Sequence, residues 1–289
     1  TGTGGFAKEG SGTLTLSNAG NTYNGATTVD AGTLTLNSTE SWNGGTIPSS
    51  AITVNSGGTL EVANASNLHD DQAITVNGGT LNISIGSADH GENYVNDLTL
   101  NSGALLSGNA PRVGYLVDPT WTVGGTSAST ISAQLQLVND VDVSGVRQFT
   151  LDVGDATSDA NVDLTITGAI ADYATHRGED LVKAGAGTLK LSGANTYSGD
   201  TIINAGVLRL ASGGSLNTAT TVRLASSAKM ELDSGINQTV YELYFDGVRQ
   251  VQGTWGATGS GAGSIDDTRF AGTGILTVTK GSATLFRFK

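Results

Sequence analysis

Lys183–Leu210 reads KAGAGTLKLSGANTYSGDTIINAGVLRL, and almost the same string stands about 175 residues earlier, at Lys8–Leu36, as KEGSGTLTLSNAGNTYNGATTVDAGTLTL. The two align with a single one-residue gap. A shorter unit recurs between and beyond them. It reads TTVDAGTLTL (Thr27–Leu36), ITVNSGGTLEV (Ile52–Val62), ITVNGGTLNI (Ile74–Ile83) and LTLNSGALL (Leu98–Leu106), and continues in TIINAGVLRL (Thr201–Leu210) and TVRLASSAKMEL (Thr221–Leu232). In the first four, three alternating residues precede an Asn or Asp and one or two small residues, then Thr or another small residue and Leu. Leu14, Leu34, Leu60, Leu81 and Leu105 mark successive units, 20, 26, 21 and 24 residues apart.

Alternation of Leu, Val or Ile with Thr, Asn or Lys has period two, so each short strand buries one face and wets the other. Asn-Gly, Asp-Ala-Gly and Ser-Gly-Gly supply the positive φ that tight corners need. No window of 11 residues has a helical period. Strand, corner, strand at about 20–25 residues per unit predicts an all-β fold, a parallel β-solenoid in which each coil buries its apolar face on its neighbours. At about 22 residues per coil the chain holds roughly 13 coils in a rod near 60 Å long.

The expected organisation is a solenoid over 1–245, clearest at 8–106 and 183–232, with irregular coils over 111–180. In that middle stretch Thr130–Val138, Val141–Val143, Phe149–Val153 and Val162–Ile166 still alternate, and Asp155–Ala160 reads as an exposed turn. A capping segment follows over 246–279; across Val240–Phe270, Tyr241, Tyr244, Phe245, Trp255 and Phe270 concentrate the aromatics needed to cover a last coil. An extended tail occupies 280–289.

Composition narrows the function classes. With 289 residues, 42 Gly, 3 Pro, 37% hydrophobic and 14% charged residues, the chain can bury a core and is not collagen-like, since its glycine lacks a period of three. The absence of cysteine removes disulfides, thiolate metal sites and cysteine nucleophiles. A net charge of −12 argues against nucleic acid and anionic membranes as partners. Residues 1–180 hold four basic residues (Lys8, Arg112, Arg147, Arg177) against nineteen acidic, whereas residues 181–289 hold ten basic against seven acidic. No run approaches 18 apolar residues, so no membrane-spanning helix is expected. Without an initial Met or a charged-then-apolar leader at Thr1, the chain reads as a processed product or an excised fragment.

Gly185, Gly187, Thr188, Leu189, Leu191, Asn195, Thr196, Tyr197, Gly199, Thr201, Gly206 and Leu208 carry a resemblance to the passenger-associated (autotransporter-associated) β-strand repeat. The copy near the N-terminus departs by one inserted residue at Asn18–Gly20. GVRQVQGTWG (Gly247–Gly256) followed by DDTRFAGTGILTV (Asp266–Val278) resembles the segment that often closes such proteins. The repeats cover about a third of the chain. The resemblance implies a right-handed parallel β-helix, secretion and exposure on the bacterial surface. It says little about activity. The membrane barrel that ends true autotransporters is missing from this sequence.

Parallel β-helices also house polysaccharide lyases and hydrolases, so carboxylate pairs such as Asp70-Asp71 and Asp266-Asp267 need weighing. Only Asp-Asp of the pectin-hydrolase combination is present, Asp89-His90-Gly91 being a near miss, and no catalytic residue is expected. Asp140, Asp142, Asp152, Asp155, Asp159 and Asp163 have hard-cation oxygens but no calcium-repeat spacing, and read as solvated acids. His69, His90 and His176 have no metal-ligand spacing. No cofactor and no metal are expected. Tyr23 and Tyr197 read as corner packing rather than sugar platforms.

In the tail, Leu285, Arg287 and Lys289 alternate with Phe286 and Phe288. Such a strand left free is an aggregation hazard. It either adds to a partner's sheet edge or folds back on its own last coil. The leading expectation is a secreted, non-enzymatic structural protein that is its own partner, assembling head to tail into a filament or surface matrix by strand addition. The assembly interface is assigned to Phe6, Leu285, Phe286, Arg287, Phe288 and Lys289, the acidic half meeting a basic tail. The alternatives are a monomeric adhesin or stalk, which binds matrix or polysaccharide, and a polysaccharide-active enzyme.

Overall fold

The protein was analysed as a computed structural model, which describes residues 3–18, 20–39, 46–47, 51–64, 67–68, 72–83, 93–108, 111–113, 118–138, 147–158, 161–173 and 178–282. These residues form strands and no helix. The strands stack in parallel as a β-solenoid of eleven coils among the described residues, each giving one strand to each of two long sheets. The first coil contributes Phe6–Lys8 and Thr13–Leu16, the last Glu242–Phe245 and Phe270–Gly272. A third side is regular in the middle of the rod, where Arg112–Val113, Leu135–Leu137 and Ile170–Asp172 pair in parallel. The coil count is lower than thirteen because the middle coils are long. Trp121 lies beside Leu151 and Phe149 beside Leu181, steps of about thirty residues, and the segment after Phe245 turns into a cap.

Register explains the repeat. Leu34, Leu60, Leu81, Leu106, Ile131, Ile166, Leu191, Leu210 and Leu232 form one inward column along the second long sheet, each fully buried. The fourth member is Leu106, not Leu105. Its corner, Asn101-Ser102-Gly103-Ala104, is one residue longer than Asn77-Gly78-Gly79, so Leu105 pairs with Thr80 and turns outward. With period two, one added residue reverses every side chain that follows. Among the middle strands, Thr120–Gly124 escaped the sequence reading, and Thr130–Val138 divides at a corner into Ser129–Ile131 and Leu135–Leu137. Val141–Val143 lies outside the described residues. Trp121 and Phe149 fill this thicker part of the core edge to face, with centroids 5.0 Å apart.

The repeat's polar letters are corner hardware. Asn195 is buried; its Oδ1 accepts from the Ile170 amide of the preceding coil, and its Nδ2 donates to Gly193 and to Ser215 of the next. Asn21, its counterpart, donates to Thr46 at 2.7 Å. The Tyr197 hydroxyl lies 2.6 Å from Thr201 Oγ1 and that of Tyr23 lies 2.8 Å from Thr27 Oγ1, so both tyrosines are packing elements. Gly206 has φ +65, and a Cβ there would meet the Gly187 carbonyl at 2.4 Å; Gly32 repeats the arrangement against Gly12. Asn195→Ala removes three side-chain hydrogen bonds and leaves the buried Ile170 amide without its acceptor, an orphan costing about 1–3 kcal/mol, while the Gly193 and Ser215 carbonyls keep the Ser215 and Asn195 amides as donors. The expected result is a clear fall in the urea midpoint, at least twice that of Tyr197→Phe, which loses one bond; equal midpoints would refute the clasp.

Candidate functional site

The two ends of the rod differ. At the N-terminal end, Leu14 stands in the leucine column but is 38% exposed, against 0% for Leu34 beside it. Phe6 and Tyr23 are half-buried with ring centroids 5.9 Å apart, and Leu16 is half-buried too. These apolar groups have a coil on one side. Phe6, assigned to an assembly interface, lies on the first described strand and pairs with Thr27 of the second coil. Leu285, Phe286, Arg287, Phe288 and Lys289 lie outside the described residues.

The C-terminal end is closed. Glu242–Phe245 turns through Asp246-Gly247, with φ 49 and 78, into antiparallel Val248–Arg249, which covers the edge of the first long sheet. Positive φ at both central residues is the two-residue hairpin geometry that Asp-Gly favours. Phe245 packs edge-on against Trp255 at 5.3 Å and Phe270 at 6.1 Å. Tyr241 and Tyr244 do not join this cluster. Tyr241 is exposed, and Tyr244 faces outward under the Arg223 guanidinium.

Several acids singled out from the sequence serve as clasps. Asp266 accepts from the Thr268 and Arg269 amides, and Asp267 from Thr258 N and Oγ1, both at 2.7 Å, which holds the Asp267 carboxyl below the usual range. Asp163 is buried. Its Oδ1 takes the Ala156 and Thr157 amides and its Oδ2 the Thr188 amide, pinning the turn that begins at Asp155. It is therefore not a solvated acid, because neighbouring N–H groups occupy its oxygens. Asp70, Asp71, Asp89, Asp140, Asp142, Asp159 and all three histidines fall outside the described residues, and no cluster able to hold a metal exists among those described.

Sequence reasoning missed two sets of buried charge. Lys8 and Lys183 open the two repeats and point inward, in columns otherwise filled by residues such as Val29, Val54, Leu151 and Ile203. Each ammonium reaches three corner carbonyls, those of Glu9, Gly10 and Ala31 for Lys8 and of Ala184, Gly185 and Ala205 for Lys183. Burial pushes Lys183 down to about 8, partly opposed by Asp152 and Asp163. The shared first letter of both repeats was the available signal.

The second set is a corner where Glu179 is fully buried with no hydrogen-bond partner on either oxygen among the described residues. Burial, with Asp118, Asp172 and Asp180 nearby, pushes its carboxyl up to about 8, and Arg147 pulls the other way. A carboxyl raised above its unfolded value of about 4.5 stabilises the fold fully below that value and loses this contribution as pH rises to about 8. Glu179→Gln is expected to raise the thermal midpoint at pH 8.5 by roughly 4–8 °C, equivalent to about 2 kcal/mol. It should leave the midpoint at pH 4 unchanged. An equal shift at both pH values would mean the gain is packing, not charge.

The architecture is thus a parallel β-solenoid with polar clasps at its corners and an antiparallel strand laid against the last strand of its first long sheet. Residues 6–36 and 181–210 match the passenger-associated-transport-repeat, so the chain carries two copies of this autotransporter-associated repeat. Among curated proteins it resembles the adhesin BmaC autotransporter of Brucella suis biovar 1 (strain 1330), with 30% identity over 175 residues. That match takes in 49% of this chain but 5% of the much longer adhesin. No solved structure matches.

Proposed function

We propose that the protein is a non-enzymatic, secreted β-solenoid of the bacterial surface, a stalk or adhesive rod that presents its outer faces to matrix or polysaccharide. The observation that carries this reading is the use of the repeat's polar side chains. Asn195, Asp163 and the corner lysines are spent on joining one coil to the next, which is what a load-carrying rod requires. Similarity to an autotransporter adhesin supports the surface location. The test is binding of the purified chain to immobilised matrix glycoproteins and to acidic and neutral polysaccharides, with product release followed in parallel. Saturable binding without new reducing ends is expected. Sugar release that disappears in Asp70→Asn/Asp71→Asn would replace this reading with a polysaccharide-active enzyme.

A second reading, a subunit assembling head to tail into a filament or matrix, is favoured by the contrast between an acidic first part of the chain and a less acidic second part. Electron microscopy of the full chain beside a chain ending at Ser282 checks it. Fibres of constant width from the full chain alone are expected, and short rods in both samples would exclude it.

A further inference from the structure

We infer that the corner around Glu179 is a proton-operated joint. With Glu179 protonated, the coils that carry Arg147 and Glu179 stay stacked; when the proton leaves, they part locally while the rest of the rod stays folded. The device is independent of what the rod binds and of whether it assembles.

Arg147 and Glu179 hold the same place on successive coils. Each immediately precedes a paired residue, Gln148 beside Asp180, and the Asp180 amide donates to the Arg147 carbonyl at 2.9 Å. Phe149 and Leu181, two residues further on, are buried inward positions, so the period of two turns Arg147 and Glu179 inward as well. Both are buried. Among the described residues, Arg147 Nε and the two Glu179 oxygens have no hydrogen-bond partner, and Asp172 Oδ1 in the same corner is a fourth buried polar atom without one.

The charged groups facing Glu179 come from several coils. Asp118, Asp172 and Asp180 push its carboxyl up and Arg147 pulls it down. The three aspartates are each tied to an amide: Asp118 accepts from Gln148 at 3.1 Å, Asp172 from Ser198 at 3.1 Å and Asp180 from Asp200 at 2.7 Å. The next coil brings Gly199, where a Cβ would meet the Glu179 carbonyl at 2.2 Å, and its Asp200 is turned to Arg223. Glu179 is thus the one acid of this group whose oxygens accept nothing among the described residues. A carboxylate buried without a donor is so costly that the group keeps its proton instead. Glutamine has the same shape and no charge, so a rod that needed only stiffness gains nothing from glutamate here.

The direction of the pH dependence follows. In the stacked corner the carboxyl stays up at about 8, and once water reaches it the value returns to about 4.5. Opening therefore releases a proton throughout this window. The open fraction rises about tenfold per pH unit across it, levels off above it, and is smallest below it. A solenoid permits such a local event because each coil contacts only its neighbours.

Amide hydrogen exchange of the full chain, corrected for the intrinsic rate, tests the joint. Asp180 and Leu181, whose amides donate to Arg147 and Asp200, report on it; Ala63 and Met230, bonded to Leu36 and Arg269, report on the rod to either side. From pH 5.5 to 7.5 protection at Asp180 and Leu181 is expected to fall about a hundredfold. It should stay constant at Ala63 and Met230, and Glu179→Gln should abolish the fall. Constant protection at Asp180 and Leu181, or a parallel fall at all four amides, would overturn the local joint, and the same fall in Glu179→Gln would overturn Glu179 as the group responsible. Should Glu179→Gln not fold, infrared difference spectra of the unaltered chain carrying 13C-glutamate decide the matter. The carbonyl stretch of a protonated glutamic acid is expected at pH 7 and should be gone by pH 9.5; no such band at pH 7 would refute the proposal.

Discussion

The constraint on which this molecule depends is that each coil must place an apolar side chain on the apolar side chain of the coil before it. A single coil buries almost nothing, and its strands of three to six residues would not persist alone. Stacking supplies both the hydrophobic burial and the backbone partners, because every interior strand is hydrogen-bonded to the equivalent strand of two neighbours. This explains why the Leu34-to-Leu232 column is unbroken through coils of very different length. Coils can lengthen, as in the steps of about thirty residues from Trp121 to Leu151 and from Phe149 to Leu181, provided the inward positions return to register.

Much of this was legible in the letters. Period-two alternation, glycine at the corners and the duplicated Lys-to-Leu string led directly to a parallel solenoid. The asparagine and tyrosine of the repeat were recognisable as a pattern before the asparagine's bonds to the next coil and the tyrosine's bond to the threonine four residues on were known. What could not be read was the effect of a single added corner residue. Ala104 moves the buried position from Leu105 to Leu106, and the sequence there offers two leucines that look equivalent. Thr120–Gly124 was missed for a related reason: its core position is a tryptophan whose indole donates to the Val95 carbonyl at 3.0 Å, a different way of filling the space that leucine fills elsewhere.

The buried charges were hidden for a different reason. A lysine in an amphipathic strand reads as a solvent-facing residue, and only the fold shows that Lys8 and Lys183 end among corner carbonyls. The Glu179 corner is likewise a product of topology, since Asp118, Arg147, Asp172 and Glu179 come from successive coils separated by long loops. Local sequence could supply the acids but not their convergence. Of the acidic pairs that local sequence did highlight, the one among the described residues is held by amides, Asp266 by those of Thr268 and Arg269 and Asp267 by that of Thr258.

One outer feature gives the rod a direction of its own. Along the corner after the first long sheet, Asn101 donates to Asn77, Asn77 to Asn55, and Asn55 to the Asp30 carboxylate, with N···O distances of 3.1, 3.2 and 2.7 Å. All three amides point the same way, so their dipoles add as peptide dipoles do along a helix, and such chains polarise one another. Asp30 stands at the positive end of this row, where an anion is stabilised, in the role that an N-cap aspartate plays for a helix. The row stops at Gly124, which follows Asn101 in register and has no side chain with which to donate. A stack of side chains thus carries a miniature macrodipole, terminated at one end by a full charge and at the other by glycine.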